Sequence, residues 1–248
     1  MTDLPIGLQT YTVRNEMKAD LEGTLRQLAE MGYDGVETAG GTSGLPLSTR
    51  PLLDELGLGV FGIHAGLPDL EEKFEELVEY CRALGTEYVS VAYTSPEVHS
   101  DVPALAERLN GLGHRLRQEG LTLSYHNHAM ELEPYDGTTI LAGLLDATDP
   151  DAVMAELDVC WVKAGGADPA EYIRRYAGRV PLVHMKDMTP EGEPADVGDG
   201  VLDMPAILRA AVESGARYLI AENDNPPAPM ESARRSLEKL RALTAASR

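Results

Sequence analysis

Apolar positions along the chain fall into short runs that alternate with longer segments whose apolar residues recur every three or four positions. The short runs cover 6–11, 35–38, 59–66, 88–93, 121–128, 152–159, 180–187 and 218–224 and read as buried strands. The segments 20–33, 48–57, 69–85, 102–119, 138–148, 168–178, 204–215 and 230–245 read as helices. Leu21, Leu25 and Leu28 share one face of the first helix, and Leu70, Phe74, Leu77, Val78 and Cys81 share one face of the third. Pro51 lies in the first turn of the second, with Ser48 or Thr49 as its cap. Eight strand-then-helix units in 248 residues predict a parallel sheet closed into a (β/α)8 TIM barrel, one domain over 1–248. The alternative is an open doubly wound sheet, but no G-x-G-x-x-G follows the first strand.

In such a barrel the C-terminal ends of the strands build the active site. Here those ends are unusually polar. Strand 2 ends in Glu37, strand 3 in His64, and strand 5 in His126, Asn127 and His128 with Glu131 just beyond. Strand 6 ends in Asp158, strand 7 in His184, Lys186 and Asp187, and strand 8 in Glu222, Asn223 and Asp224. Four of the six histidines lie at these ends, which points to one shared site rather than separate strand exits. A carboxylate-rich set with one imidazole suits a divalent cation, Mn2+, Mg2+ or Co2+, with Zn2+ compatible. The expected ligands are Glu131, Asp158, His184 and Glu222. Such an ion polarises a carbonyl and an adjacent hydroxyl, and neighbouring glutamates can move a proton on and off carbon. Residues 184 and 186 face the same side of their strand, so Lys186 is expected in the same cavity, with Asp187 facing away.

Bulk properties narrow the partners. With 41 acidic and 21 basic residues the formal net charge is −20, a surface that repels phosphate backbones and anionic membranes. The start of the sequence shows no signal-peptide pattern and no apolar run approaches a membrane span, so a cytoplasmic protein without nucleic-acid or membrane partners is expected. Cys81 and Cys160 have neither metal-type spacing nor a disulfide pattern.

The stretches "LQTYTVR", "GYDGVE", "YHNHAMELE", "ELDVCWVKAGGADPAEYIRRYAGRVPLVHMKD" and "VGDGVLDMPAIL" with "YLIAENDNP" resemble the sugar phosphate isomerase/epimerase superfamily with the xylose-isomerase-like barrel. The resemblance spans nearly the whole chain. It implies a divalent metal held by a Glu, Asp, His, Glu set from strands 5 to 8, onto which Asp158, His184 and Glu222 map, and Lys186 matches a lysine two residues after the ligand histidine. Many relatives carry E-x-H at the end of strand 5, where this chain has His126-Asn127-His128. Either Glu131 reaches back or His126 is the ligand; Glu131 is preferred because it keeps the charge complement. Trp161 stands where some relatives have a histidine and is assigned to sugar stacking or barrel packing. Endonuclease IV-like relatives are set aside because of the negative charge and because the extra ligands of a three-zinc site are not apparent.

The leading expectation is a metal-dependent isomerase or epimerase acting on a ketose or related polyol through an enediolate. Glu131 and Glu222 would be the bases, with Lys186, His64, His128, Glu37 and Arg14 orienting the substrate. A lyase on the same scaffold, dehydrating a keto-inositol or eliminating from a 3-keto glycoside, is the second; His126 or His128 would protonate the leaving group. A noncatalytic sugar-binding barrel is the third. The substrate is expected to be a small unphosphorylated sugar or polyol, and a homo-oligomer is compatible with the resemblance. Replacing Lys186 with Met is expected to leave metal affinity nearly intact while lowering turnover.

Overall fold

Eight parallel strands close into a barrel in the computed structural model, which describes residues 4–246. The barrel strands are β1 (Ile6–Gln9), β2 (Gly35–Ala39), β3 (Gly59–Ala65), β4 (Tyr88–Val91), β5 (Thr122–His126), β6 (Val153–Asp158), β7 (Leu182–Met185) and β8 (Tyr218–Ala221). Each pairs with its sequence neighbours, and β8 closes the ring on β1 through Ile6↔Leu219 to Leu8↔Ala221. The outer helices are α1 (Leu21–Met31), α2 (Arg50–Leu56), α3 (Phe74–Leu84), α4 (Val102–Gln118), α5 (Ile140–Ala147), α6 (Pro169–Arg175), α7 (Met204–Glu213) and α8 (Pro229–Ala246). All eight predicted strand–helix units are present. The segment 69–85 divides at Lys73, where the backbone leaves helical geometry (φ −121°, ψ 30°), so Leu67–Glu72 forms a separate short helix. The end of predicted strand 6 is instead the start of a helix, Val159–Ala164, whose first turn Asp158 caps by accepting the Trp161 amide at 3.0 Å.

The main core lies between barrel and helices, where Ile6, Leu8, Val36, Val89, Leu123, Leu157, Val183 and Leu219 meet residues such as Leu25, Leu28, Leu109 and Leu208. Alternate strand residues face inward. At the N-terminal end of the barrel they form a small apolar cluster of Phe61, Tyr88, Leu182 and Ile220, with Tyr218 stacked on Phe61 at 4.2 Å between ring centroids. The Phe61 ring fits only because its neighbours are glycines. A Cβ on Gly35 would lie 2.6 Å from that ring and from the Gly59 carbonyl oxygen. Gly35→Ala should therefore cost about 1–3 kcal/mol of overpacking strain. Thermal unfolding checks this; a melting temperature equal to wild type would mean the barrel floor is loose.

Phe61 also sets the register above it. The β2–β3 pairing runs Val36↔Val60 and then Glu37↔Gly62, so Phe61 is an extra, bulged residue. The bulge resets the alternation of β3, which lets Phe61 and His64, three residues apart, both face the interior. The inward positions toward the C-terminal end are polar, and they form the site.

Candidate functional site

Just above the apolar floor, Ser90 and Ser124 hydrogen-bond to each other at 2.6 Å. Next to them lies a wholly buried ring of carboxylates and imidazoles. The Gln9 side chain donates to Glu37 Oε2 at 2.9 Å. The same carboxylate lies 2.9 Å from His64 Nε2 and 2.7 Å from His184 Nε2. Glu156, inward-facing on β6, approaches His64 Nε2 at 3.0 Å and also contacts His184 Nε2. His184 donates its other nitrogen, Nδ1, to Glu222 Oε2 at 2.8 Å.

A second group sits beside it. Lys186 is only 1% exposed and reaches Asp158 Oδ2 at 3.0 Å, Glu222 Oε2 at 2.9 Å and Asp224 Oδ1 at 3.0 Å. Asp187 faces the other way: its carboxylate accepts the amides of Met188, Gly198, Gly200 and Leu202 at 2.8–3.1 Å and ties down the loop after β7. That loop carries a short hairpin, Asp187–Met188 with Pro194–Ala195, which brings Glu193 and Pro194 to the cavity rim.

These contacts shift the titrations strongly. Burial opposes charge on His64 and His184, but Glu37 and Glu156 outweigh it; His64 is raised to about 10 and His184 is held well above the imidazole range. Burial likewise opposes the Lys186 ammonium, and Asp158, Glu222 and Asp224 more than compensate. Burial works against ionised Glu156 and Glu222, yet the cations beside them hold both well below the carboxylate range. Asp224 goes the other way: burial and Glu222 push it up, against the pull of Lys186. Burial, reinforced by the charges on His184 and His64, drives His126 well down, and burial lowers His128.

Above this layer opens a cavity of about 630 Å3. His64, His126, Lys186, Glu222 and Asp224 reach it from below, and His128, Trp161, Tyr11 and Tyr93 wall it. Ligating atoms of Asp158, His184 and Glu222 lie within 4.8 Å of one another, as do those of His64, His126, Glu156 and His184. Both sets suit a divalent ion by donor chemistry. Buried atoms without a hydrogen-bond partner, among them His126 Nδ1 and Glu156 Oε2, add to the fit.

Three expectations change. Glu131 is not brought to His184. It is buried, accepting the Tyr125 hydroxyl at 3.1 Å and the His128 amide at 2.9 Å, so both its oxygens serve the turn Ala129–Leu132. His126 stands at the cluster in its place, its ring centroid 4.6 Å from that of His184. Arg14 does not reach into the cavity to orient a substrate: its guanidinium donates to the carbonyls of Tyr11 and Asp224 and to Asn225 Oδ1, all at 2.7–2.8 Å, clamping the loop after β8 to the one after β1. Glu37, expected to touch substrate, is fully buried beneath the cavity, where it holds His64 and His184. His64, His126, His128, Trp161, Lys186 and Glu222 do line the cavity or its floor. Glu156 and Asp224 were missed as site residues. The signal for each is parity, since Glu156 lies two residues before Asp158 and Asp224 two after Glu222.

A closed barrel of eight parallel strands with a buried acid–imidazole ring at its C-terminal mouth places the chain among the (β/α)8 barrels that build a site from their strand ends. The chain belongs to the xylose isomerase-like TIM barrel family, whose model matches residues 25–243. It is similar to the inosose dehydratase of Geobacillus kaustophilus, 26% identical over 82% of this chain and 80% of that protein. The inosose dehydratase of Mesomycoplasma hyopneumoniae is 24% identical, with 98% and 97% covered. Among solved structures, a sugar phosphate isomerase/epimerase from Parabacteroides distasonis superposes with a TM-score of 0.85 at 26% identity, covering 99% of this chain and 95% of that one. No helix among the described residues is long and apolar enough to cross a membrane.

Proposed function

We propose that the protein is a metal-dependent lyase that eliminates water or an alcohol from the β-carbon of a cyclic keto-polyol. The observation that carries this reading is the pair Glu222 and Asp224. Both face one cavity and both contact Lys186, yet their environments push them apart: Glu222 is held ionised and Asp224 is raised. Their shared contact with Lys186 at the cavity floor, with shifts in opposite directions, suits Glu222 to the base role and Asp224 to the acid role. Glu131, the second carboxylate expected for epimerisation, is committed to its turn. The names of the dehydratase relatives favour the same reaction class.

In the elimination, Glu222 takes the proton from the carbon next to the ketone, and the C–H electron pair passes into the enolate. The Lys186 ammonium stabilises the oxygen on which charge develops. Asp224, reacting in its protonated form, gives its proton to the leaving oxygen as the C–O bond breaks, and the enolate collapses to the unsaturated ketone. A divalent ion, held by Asp158, His184 and Glu222 with His126 beside them, would add Lewis-acid polarisation of the ketone. Burial lowers both His126 and His128 and so favours their neutral forms, and in this reading the acid role falls to Asp224 rather than to either histidine.

Product NMR in D2O with Mn2+ and a panel of inososes and 3-keto glycosides tests this. An unsaturated ketone is expected. Asp224→Asn should lower elimination by about 10²–10⁴-fold, the usual range for a lost general acid, while exchange of the α-proton with solvent persists. A deuterated epimer without loss of the leaving group would instead assign an epimerase, for which neutral His128, its Nδ1 buried and unpartnered, is the available opposing base.

A further inference from the structure

The cavity is larger than a single polyol ring requires. At about 630 Å3 it lies mid-way in the roughly 300–1,000 Å3 that hold drug-sized ligands, and a bare six-membered polyol would leave much of it filled with water. Its outer half is also chemically unlike its floor. Among the described residues four large hydrophobic side chains are well exposed, and two of them, Tyr11 (42%) and Tyr93 (55%), stand on this rim. Behind Tyr93 an aromatic wall continues through His128 to Trp161, with ring centroids 6.1 and 6.0 Å apart. The Trp161 ring also meets the site floor, with Lys186 Nζ 5.1 Å from its centroid. Tyr11 is held in place, with the Arg14 guanidinium 4.1 Å from its ring centroid. Tyr11, with its cation–π contact, and Tyr93, whose ring meets His128 edge-on, offer aromatic faces on which a planar ring can stack.

Charge restricts the occupant. Asp69, Glu193, Glu222 and Asp224 line the cavity, and its lysine, Lys186, is engaged by three carboxylates. The guanidinium of Arg14 is committed to the loops, as described above. Among the described residues lining the outer half of the cavity there is no cationic side chain to offset the repulsion a phosphate or carboxylate on the leaving group would meet there.

We infer that the outer half of this cavity is a second subsite, for an uncharged planar or apolar ring carried by the leaving group. This rests on the elimination proposed above. The substrate class is then a neutral keto-glycoside rather than a free polyol: the keto ring sits over Lys186, Glu222 and Asp224, and the ring-bearing alcohol departs from between Tyr11, Tyr93 and Trp161. The step balances as before, since the alcohol oxygen takes the proton of Asp224 in place of a hydroxyl leaving as water.

The test compares two neutral 3-keto-glucosides, one with a methyl and one with a 2-phenylethyl group, whose alcohols are similar as leaving groups. Binding of the unoxidised 2-phenylethyl and methyl glucosides, which cannot eliminate, is measured in parallel by titration calorimetry. The phenylethyl ketone should be favoured in kcat/KM by about tenfold or more, the size expected of one or two aromatic contacts. Tyr93→Ala should remove most of that preference, and Tyr93→Phe should keep it. Equal kcat/KM for the two ketones, or a preference that survives Tyr93→Ala, overturns the subsite while leaving the elimination standing. If neither ketone reacts but the phenylethyl glucoside binds more tightly in a Tyr93-dependent way, the subsite stands and the elimination fails. Absence of both reaction and selective binding overturns both.

Discussion

Lys186→Met is expected to destabilise the metal-free protein by about 3–5 kcal/mol, the usual cost of leaving a buried charge without its partner. For a chain of this size that lowers the melting temperature by roughly 6–20 °C. The reason is local. The ammonium lies within 3.0 Å of Asp158, Glu222 and Asp224 and is almost wholly buried, and methionine keeps the length but cancels nothing. The same substitution is expected to tighten Mn2+ binding at least about tenfold. A divalent ion and an ammonium that share Asp158 and Glu222 repel one another, and at an effective dielectric near 20 a few ångströms of separation is worth several kcal/mol. This departs from the sequence-based expectation of nearly unchanged affinity, which placed Lys186 beside the metal set without knowing that it binds two of its carboxylates. Thermal melts with EDTA and with MnCl2, together with calorimetry, check both halves; an unchanged melt with weaker Mn2+ binding would show that the lysine does not share those ligands.

Mn2+ affinity should rise with pH, about tenfold per unit for each proton expelled, so roughly 100-fold between pH 6 and pH 8 if one proton leaves. His184 must lose a proton to ligate, and in the metal-free protein Glu156 and Glu37 hold it protonated well above the ordinary imidazole range. The sign for folding is the reverse. A raised imidazole pKa contributes stability that is fully present below the unfolded value near 6.5; for His64 it is lost as pH rises through about 10. The metal-free protein should thus weaken toward alkaline pH while its metal complex gains. Calorimetry in buffers of different ionisation enthalpy counts the protons released; a count of zero at neutral pH rules the account out.

Much of this architecture was legible along the chain, because strand and helix periodicities differ and each hydrophobic stripe must be buried. The eight alternating units were enough to predict the barrel, and knowing that barrels work at their strand C-termini was enough to gather Asp158, His184, Lys186 and Glu222. Period-two alternation also placed Lys186 with His184 and sent Asp187 to the loop. The rest depended on contacts between residues far apart in sequence. Glu131 looked like a ligand by composition, but the Tyr125 hydroxyl and the His128 amide claim its two oxygens. Arg14 looked free, but it meets Asp224 and Asn225 some 210 positions away once β1 and β8 close the ring. Parity within β3 could not say that Phe61 and His64 both face inward, because the bulge exists only in its pairing with β2. Which strand ends carry acids and imidazoles is written in the order of residues along the chain. The closed barrel decided which of them touch, and through burial in a shared low-dielectric space it decided that Glu222 stays ionised, Asp224 rises and His184 keeps its proton.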